Sequence, residues 1–273
     1  MIVGQDANLR ALPPEVTLDT GLAGPPGAGF AENTFRGILA GALDSGYRFA
    51  RLDRCAPAAG PAAEAEPVFY LRHDVDISPR MAARLGEIEH EYGITGSFFF
   101  QINAETYSFF VPETLGIIHR LRGMGHCVGL HVDELLIGAD ERAIERTFDW
   151  VSDHVVPVDR VISFHRPSPA VLGRRYARFM NAYDDRVFDA ASYLSDSRRS
   201  IDFHGTLMGW LTQRRPRIQL LLHPEWWCEI PSIGQFWNQL TGRRTDQLRH
   251  YMLDNFPKVF SGVLSREDRS FKI

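Results

Sequence analysis

The sequence predicts an α/β fold whose parallel sheet is closed, or nearly closed, into a (β/α) barrel. Three observations carry this. Apolar runs of strand length alternate with segments of helical period along most of the 273 residues, the pattern of parallel strands joined by helical crossovers. The runs are nearly continuous rather than alternating, as in strands covered on both faces. Finally, no strand is followed by a Gly-x-Gly-x-x-Gly turn and no Gly-x-x-x-x-Gly-Lys-Ser/Thr occurs, so the nucleotide-binding forms of an open sheet lose support.

The elements follow in order. Residues 1 to about 30 are rich in Gly, Pro and Ala and are expected to form an irregular arm, with 31–273 as one barrel domain. A helix is expected over Glu32–Ser45, with Phe35, Ile38, Leu39 and Leu43 at helical spacing and Gly46 as its stop. A strand over Tyr47–Leu52 and a loop over Ala56–Glu66 come next, then a strand over Pro67–Leu71. Ser78-Pro79 opens a helix, since Ser caps and Pro suits the first helical position; Met81, Leu85, Ile88 and Tyr92 give it one apolar face and Gly93 stops it. Further expected elements are a strand Thr95–Phe100, a helix Pro112–Arg122 ended by Gly123 and Gly125, a strand His126–Leu130, a helix Asp140–His154 with Ile144, Phe148 and Val151 inward, and a strand Arg160–Phe164. The signal weakens over 170–210, with a short strand at Ala191–Leu194. A late strand Arg217–Leu222 and a C-terminal helix Ile233–Asn255 complete the chain.

Composition bounds the function. Hydrophobic content of 44% and charged content of 23% suit a globular chain with a normal core. A net charge of -4 argues against general nucleic-acid binding, which needs a basic face; Arg214-Arg215-Pro216-Arg217 and Arg243-Arg244 read as solvated loops. Cys55, Cys127 and Cys228 are odd in number and lack paired spacing, against a disulfide framework or a cysteine zinc site. The N-terminus lacks the features of a signal peptide, and no segment approaches the ~20 apolar residues of a membrane span. A cytoplasmic protein is expected; its oligomeric state is not encoded in any motif.

Four apolar runs end on a histidine: Phe69–His73, Val128–His131, Val161–His165 and Ile218–His223. In a parallel barrel the carboxyl ends of the strands share one rim, where catalytic groups sit, so the four clusters are expected to converge. In His73-Asp74-Val75-Asp76 the two carboxylates share a strand face. Side by side they repel unless a cation offsets them, and carboxylate plus imidazole ligands suit zinc, manganese, iron or cobalt. The plainer alternative is an Asx turn at Asp76 with Asp74 paired to Arg72 or another arginine. His131, followed by Asp133 and Glu134, is either a rim residue or a ligand. Arg166 could lock a carboxylate through two hydrogen bonds, with Pro167 fixing the turn that aims it, or form a structural ion pair. His223 has an imidazole suited to protonating a leaving group, and Asp196 could orient it. Together these make an inventory for metal-assisted hydrolysis.

His73-Asp74-Val75-Asp76, Gly129-Leu130-His131, Arg166-Pro167 and Leu222-His223-Pro224, in this order, resemble the polysaccharide deacetylase superfamily (NodB homology, carbohydrate esterase family 4). The variant with Val75 between the carboxylates is similar to deacetylase-like proteins of O-antigen and surface-polysaccharide gene clusters. The resemblance covers about Phe35 to Pro224. It implies a distorted (β/α)7 barrel, a divalent metal (zinc first, with manganese, cobalt, iron or nickel as alternatives), a carbohydrate substrate and removal of an N-acetyl group from an amino sugar. It also implies roles: Asp74 as base, Asp76 and His131 as metal ligands, Arg166 as the group that orients the base, His223 as acid and Asp196 as its support. Two departures stand out. The family's carboxylates are adjacent, and Leu135 occupies the place of its second histidine. His165 is the favoured third ligand, with Glu134 or His73 as alternatives. Phe98–Phe100 and Trp226-Trp227 could stack on sugar faces or simply pack in the core. Two other readings remain: a C–N hydrolase acting on a small cyclic amide or ureide, and a catalytically silent carbohydrate-binding member.

Overall fold

The computed structural model describes residues 29–54, 66–230, 232–266 and 271. The expected arm over 1–30 therefore lies almost wholly outside the described residues, as do Cys55 and most of the loop after it.

Among the described residues eight strands form one sheet, and every pairing in it is parallel. They are β1 (Arg48–Phe49), β2 (Val68–Val75), β3 (Ser97–Gln101), β4 (Cys127–Asp133), β5 (Val161–His165), β6 (Met180–Asn181), β7 (Tyr193–Ser195) and β8 (Arg217–Leu222). The order is β6-β5-β4-β3-β2-β8-β7, with β1 on the start of β2. The sheet curls into a distorted (β/α) barrel. Between its edge strands β6 and β7 the gap is spanned by side chains: buried Gln219 on β8 donates Nε2 to the carbonyls of Ala182 (3.0 Å) and Val187 (3.3 Å).

The surrounding helices are α1 (Glu32–Asp44), α2 (Pro79–Glu91), α3 (Pro112–Gly123), α4 (Glu134–Ile137), α5 (Glu141–His154), α6 (Phe203–Thr212), α7 (Ile233–Asn255) and α8 (Pro257–Phe260). Their starts follow local chemistry. Ser78 Oγ accepts the Met81 N–H at 3.3 Å with Pro79 at the first position, and Asp140 Oδ1 accepts the Ala143 N–H at 2.9 Å. The short strand expected at Ala191–Leu194 is a single 3₁₀ turn running into β7. The strand expected over Tyr47–Leu52 shrinks to β1, because only Arg48 and Phe49 find partners on β2.

Strand parity organises the interior. Phe69, Leu71 and Val75 of β2, Phe98 and Phe100 of β3, Val128 and Leu130 of β4, Ile162 and Phe164 of β5 and Ile218, Leu220 and Leu222 of β8 are buried in the two large apolar clusters that also hold α1–α3, α5 and α6 side chains. The other parity packs a smaller cluster around Tyr70, Phe99, Cys127 and Val161. Above that cluster, toward the carboxyl ends of the strands, the same parity continues as Arg72, Asp74, Gln101, His131, Ser163 and His165. The apolar period that builds the core thus delivers polar side chains to one rim.

Gly129 belongs to that parity. A Cβ there would stand 2.1 Å from the Val161 carbonyl oxygen, a backbone atom that can move only with β5. Gly129→Ala is expected to cost about 2–3 kcal/mol through overpacking, read as a lower denaturation midpoint; an unchanged midpoint would mean the two strands separate freely here.

Candidate metal and catalytic site

Around the rim the functional side chains follow the strand order β7, β8, β2, β3, β4, β5: Asp196, His223, Asp74 and Asp76, Gln101, His131, His165. Three of them meet closely. Asp76 Oδ1 lies 3.2 Å from His131 Nε2 and 3.5 Å from His165 Nδ1, and the two ring nitrogens are 3.3 Å apart. Ligand atoms bound at about 2.0–2.1 Å around a tetrahedral zinc stand about 3.3–3.4 Å from one another, so the triangle has the size of one face of such a polyhedron. The donor set fits as well. His131 Nδ1 donates to the Ser163 carbonyl at 3.2 Å, so Nε2 is the nitrogen turned toward the cluster, the arrangement that orients metal-binding imidazoles.

The carboxylate and the imidazoles also stabilise one another's charge. Burial pushes the Asp76 carboxyl up, but His131 and His165 beside it outweigh this and hold it well below the usual carboxylate range. The hydrogen bond to Asp76 lifts His165 above the ordinary imidazole value. Glu134 does not join the cluster, because its carboxylate accepts from the N–H (2.9 Å) and hydroxyl (2.7 Å) of Ser168. Leu135 is exposed on α4.

His73 is not at the rim. Its parity is opposite to that of Asp74, so it points outward into the core, stacks on Phe98 at 4.3 Å and meets Glu89 at 2.6 Å. Convergence therefore involves three of the four strand-end histidines.

Asp74 lies behind the triangle, 3.8 Å from His131 Nε2. The arginine that holds it is Arg72, not Arg166. Arg72 is fully buried and grips both carboxylate oxygens, Nε to Oδ1 at 3.0 Å and Nη2 to Oδ2 at 2.7 Å. Ser163 Oγ donates to Oδ2 at 2.9 Å, and Arg72 Nη2 also reaches Ser163 Oγ and the Tyr183 hydroxyl. Burial pushes the Asp74 carboxyl up, and the Arg72 guanidinium more than offsets it, so the group is held ionised. Arg166 turns away. Its backbone sits in the left-handed region (φ 52°), its side chain is 66% exposed, and its guanidinium pairs with Asp133 at 2.9 Å. The physical reason is the turn before Pro167, which aims Arg166 over α4 rather than into the barrel.

On the other side, His223 Nδ1 meets Asp196 Oδ1 at 2.6 Å, while Nε2 faces Asp76 Oδ2 at 3.7 Å. Asp196 is fully buried and held by the His223 backbone N–H and by Trp227 Nε1 at 3.0 Å. Burial pushes the His223 imidazole down, but the pair with Asp196 outweighs it and lifts its pKa to about 10. Trp227 is thus a core residue that holds Asp196, edge-on to Phe30 and tilted on Phe35. Phe98, Phe99 and Phe100 are core as well.

Sequence reasoning did not single out Gln101, Ser163, Tyr183 or Glu225. Glu225 follows His223 by two residues and is buried without a hydrogen-bond partner; burial and the nearby Asp76 charge push its carboxyl well above the ordinary range. Cys127 and Cys228 are free and buried. Among the described residues no helix is long and apolar enough to cross a membrane.

No protein-family model matches the chain, and no curated protein matches it. Among solved structures, the chain is similar to the chitin deacetylase of the fungal pathogen Colletotrichum lindemuthianum, with 12% identity and a TM-score of 0.39 over 70% of this chain and 84% of that one. It is also similar to a peptidoglycan deacetylase of Bdellovibrio bacteriovorus, with 14% identity and a TM-score of 0.39 over 72% of this chain. The match spans 56% of the latter's length. Nothing about this chain's activity follows from likenesses this remote; its chemistry is read from its own side chains.

Proposed function

We propose that the protein is a metal-dependent hydrolase that removes an N-acetyl group from an amino sugar or a sugar-containing intermediate of polysaccharide metabolism. The observation that supports this most is the meeting of Asp76, His131 and His165 within 3.5 Å of one another, with Asp74 3.8 Å from His131 and His223, paired to Asp196, 3.7 Å from Asp76.

Asp76, His131 and His165 would hold a divalent cation, zinc first. Bound there, the cation would polarise an acyl oxygen and make a water more acidic. Asp74, kept ionised and fixed by Arg72 and Ser163, accepts the proton of the attacking water. His223, charged and oriented by Asp196, donates its Nε2 proton to the departing amine. A base and an acid of opposite charge beside one cluster suit a reaction in which water gives up a proton as nitrogen receives one.

The test is acetate release from N-acetylated sugars by protein loaded with one equivalent of zinc. Stripping the protein with a chelator is expected to lower the rate at least about 100-fold, and adding zinc back is expected to restore it. A genuine acetate-releasing activity indifferent to chelation would sink the metal reading. Release of ammonia or ring opening from a cyclic ureide, without acetate release, would favour the other hydrolase instead.

A further inference from the structure

Gln101 is the last residue of β3 and lies opposite His131 in the β3–β4 register. It is 8% exposed. Its amide Nε2 donates to Asp76 Oδ1 at 2.7 Å and lies 3.3 Å from His165 Nδ1. Oδ1 is the same atom that meets both imidazoles, and so the oxygen that would face a cation. A carboxylate oxygen can accept an N–H on one side and bind a metal on the other, and such outer contacts fix ligand orientation.

The Gln101 backbone is held in place from behind. Its backbone N–H donates to the Tyr107 hydroxyl at 2.8 Å, and that hydroxyl donates to the Val75 carbonyl at 3.0 Å. Thr106 Oγ1 donates to the Asp76 carbonyl. The segment after β3 therefore folds back and ties the backbones of Asp76 and Gln101 to each other.

We infer that Gln101 is a positioning residue of the metal centre: its amide orients the ligating oxygen of Asp76 and spaces it from His165, so that the three ligands stand ready for a divalent cation. This rests on the metal-centre reading above. Removing the donor takes from Asp76 Oδ1 the contact that orients it beside the two imidazoles.

The experiment is zinc titration of the full chain against a chromophoric chelator, for the wild type, Gln101→Met and Gln101→Leu. Both variants keep the side chain's bulk and lack the N–H. Folding of each is checked by circular dichroism and thermal denaturation without metal. The wild type is expected to bind one equivalent, and both variants are expected to bind it 10–100-fold more weakly. With cobalt in place of zinc, the visible bands of the variants are expected to change in position or intensity, a signature that a purely structural role would not move. Wild-type stoichiometric binding, with variants inside about threefold of it and identical cobalt spectra, would overturn the role of Gln101 and leave the centre standing. Absence of stoichiometric binding by the wild type would overturn both.

Discussion

Replacing Arg72 with methionine is expected to lower kcat/KM for acetate release by about 1,000-fold and to destabilise the fold by about 3–5 kcal/mol. The stability loss follows from breaking one half of a buried ion pair, which strands Asp74 as an uncompensated charge behind the rim. The activity loss follows from the same change. With Arg72 gone, burial is the dominant influence on Asp74, its carboxyl rises toward the protonated form, and it can no longer accept a proton at neutral pH. Arg72→Lys separates charge from geometry. Lysine keeps the cation but cannot grip both oxygens and reach Ser163 at once, so an intermediate loss of about 10–100-fold is expected in a protein that still folds. Arg166→Ala is the contrast: its exposed pair with Asp133 contributes about 0–1 kcal/mol, and kcat is expected to stay within about threefold. Steady-state kinetics and denaturant titration of the three variants check this, and a larger loss at Arg166 than at Arg72 would refute the assignment of the base-holding arginine.

The two arginines show what the chain revealed before its structure and what it did not. Asp74 and Asp76 on one face, and His131, His165 and His223 at strand ends, are consequences of a period of two and of parallel topology, both visible in the apolar pattern. The same period places Arg72 on the face of Asp74, and a cation inside a buried strand has to be paired. The plainer alternative, Asp74 paired with Arg72, describes the contact. Arg166 depended on a turn whose left-handed backbone no side-chain pattern encodes. His73 ends an apolar run as His131, His165 and His223 do, but it neighbours Asp74, and adjacency on a strand means opposite faces. Its burial against Glu89 follows from that rule.

Other gaps have local causes. α6 carries Gly205 and Gly209, which dilute a helical signal. β6 is two residues long and exists only through its pairing with β5. Gln101 and Ser163 are uncharged residues whose part in the site comes from which strand stands beside which, information held in the tertiary register. The side-by-side tryptophans divide for the same reason: the 3₁₀ turn after β8 buries Trp227 against Asp196, while Trp226 is only partly buried, tilted on Phe236.

His223→Gln is expected to lower the rate of acetate release by about 100–10,000-fold, the range typical of a lost general acid, and Asp196→Asn is expected to alter the pH profile as well as the rate. The imidazole must be protonated to act, so activity falls on the alkaline side as His223 loses its proton. With Asp196 in place that pKa is about 10 in the metal-free protein. Without the Asp196 carboxylate, burial pulls the imidazole down against only the weaker pull of Glu225 and Asp74, so the alkaline limb of kcat/KM is expected to move to lower pH in Asp196→Asn. Stability carries the same sign. His223 titrates near 6.5 when unfolded and near 10 when folded, so the stabilisation from its pairing is complete below about pH 6.5 and is lost as the pH rises through about 10. The melting temperature of metal-free wild type is therefore expected to exceed that of His223→Gln by several degrees at pH 6–7, a gap that narrows toward pH 10.5. A gap that widened with pH, or an alkaline limb that stayed in place in Asp196→Asn, would show that the pair does not hold a proton on His223 and that the amine must obtain its proton elsewhere.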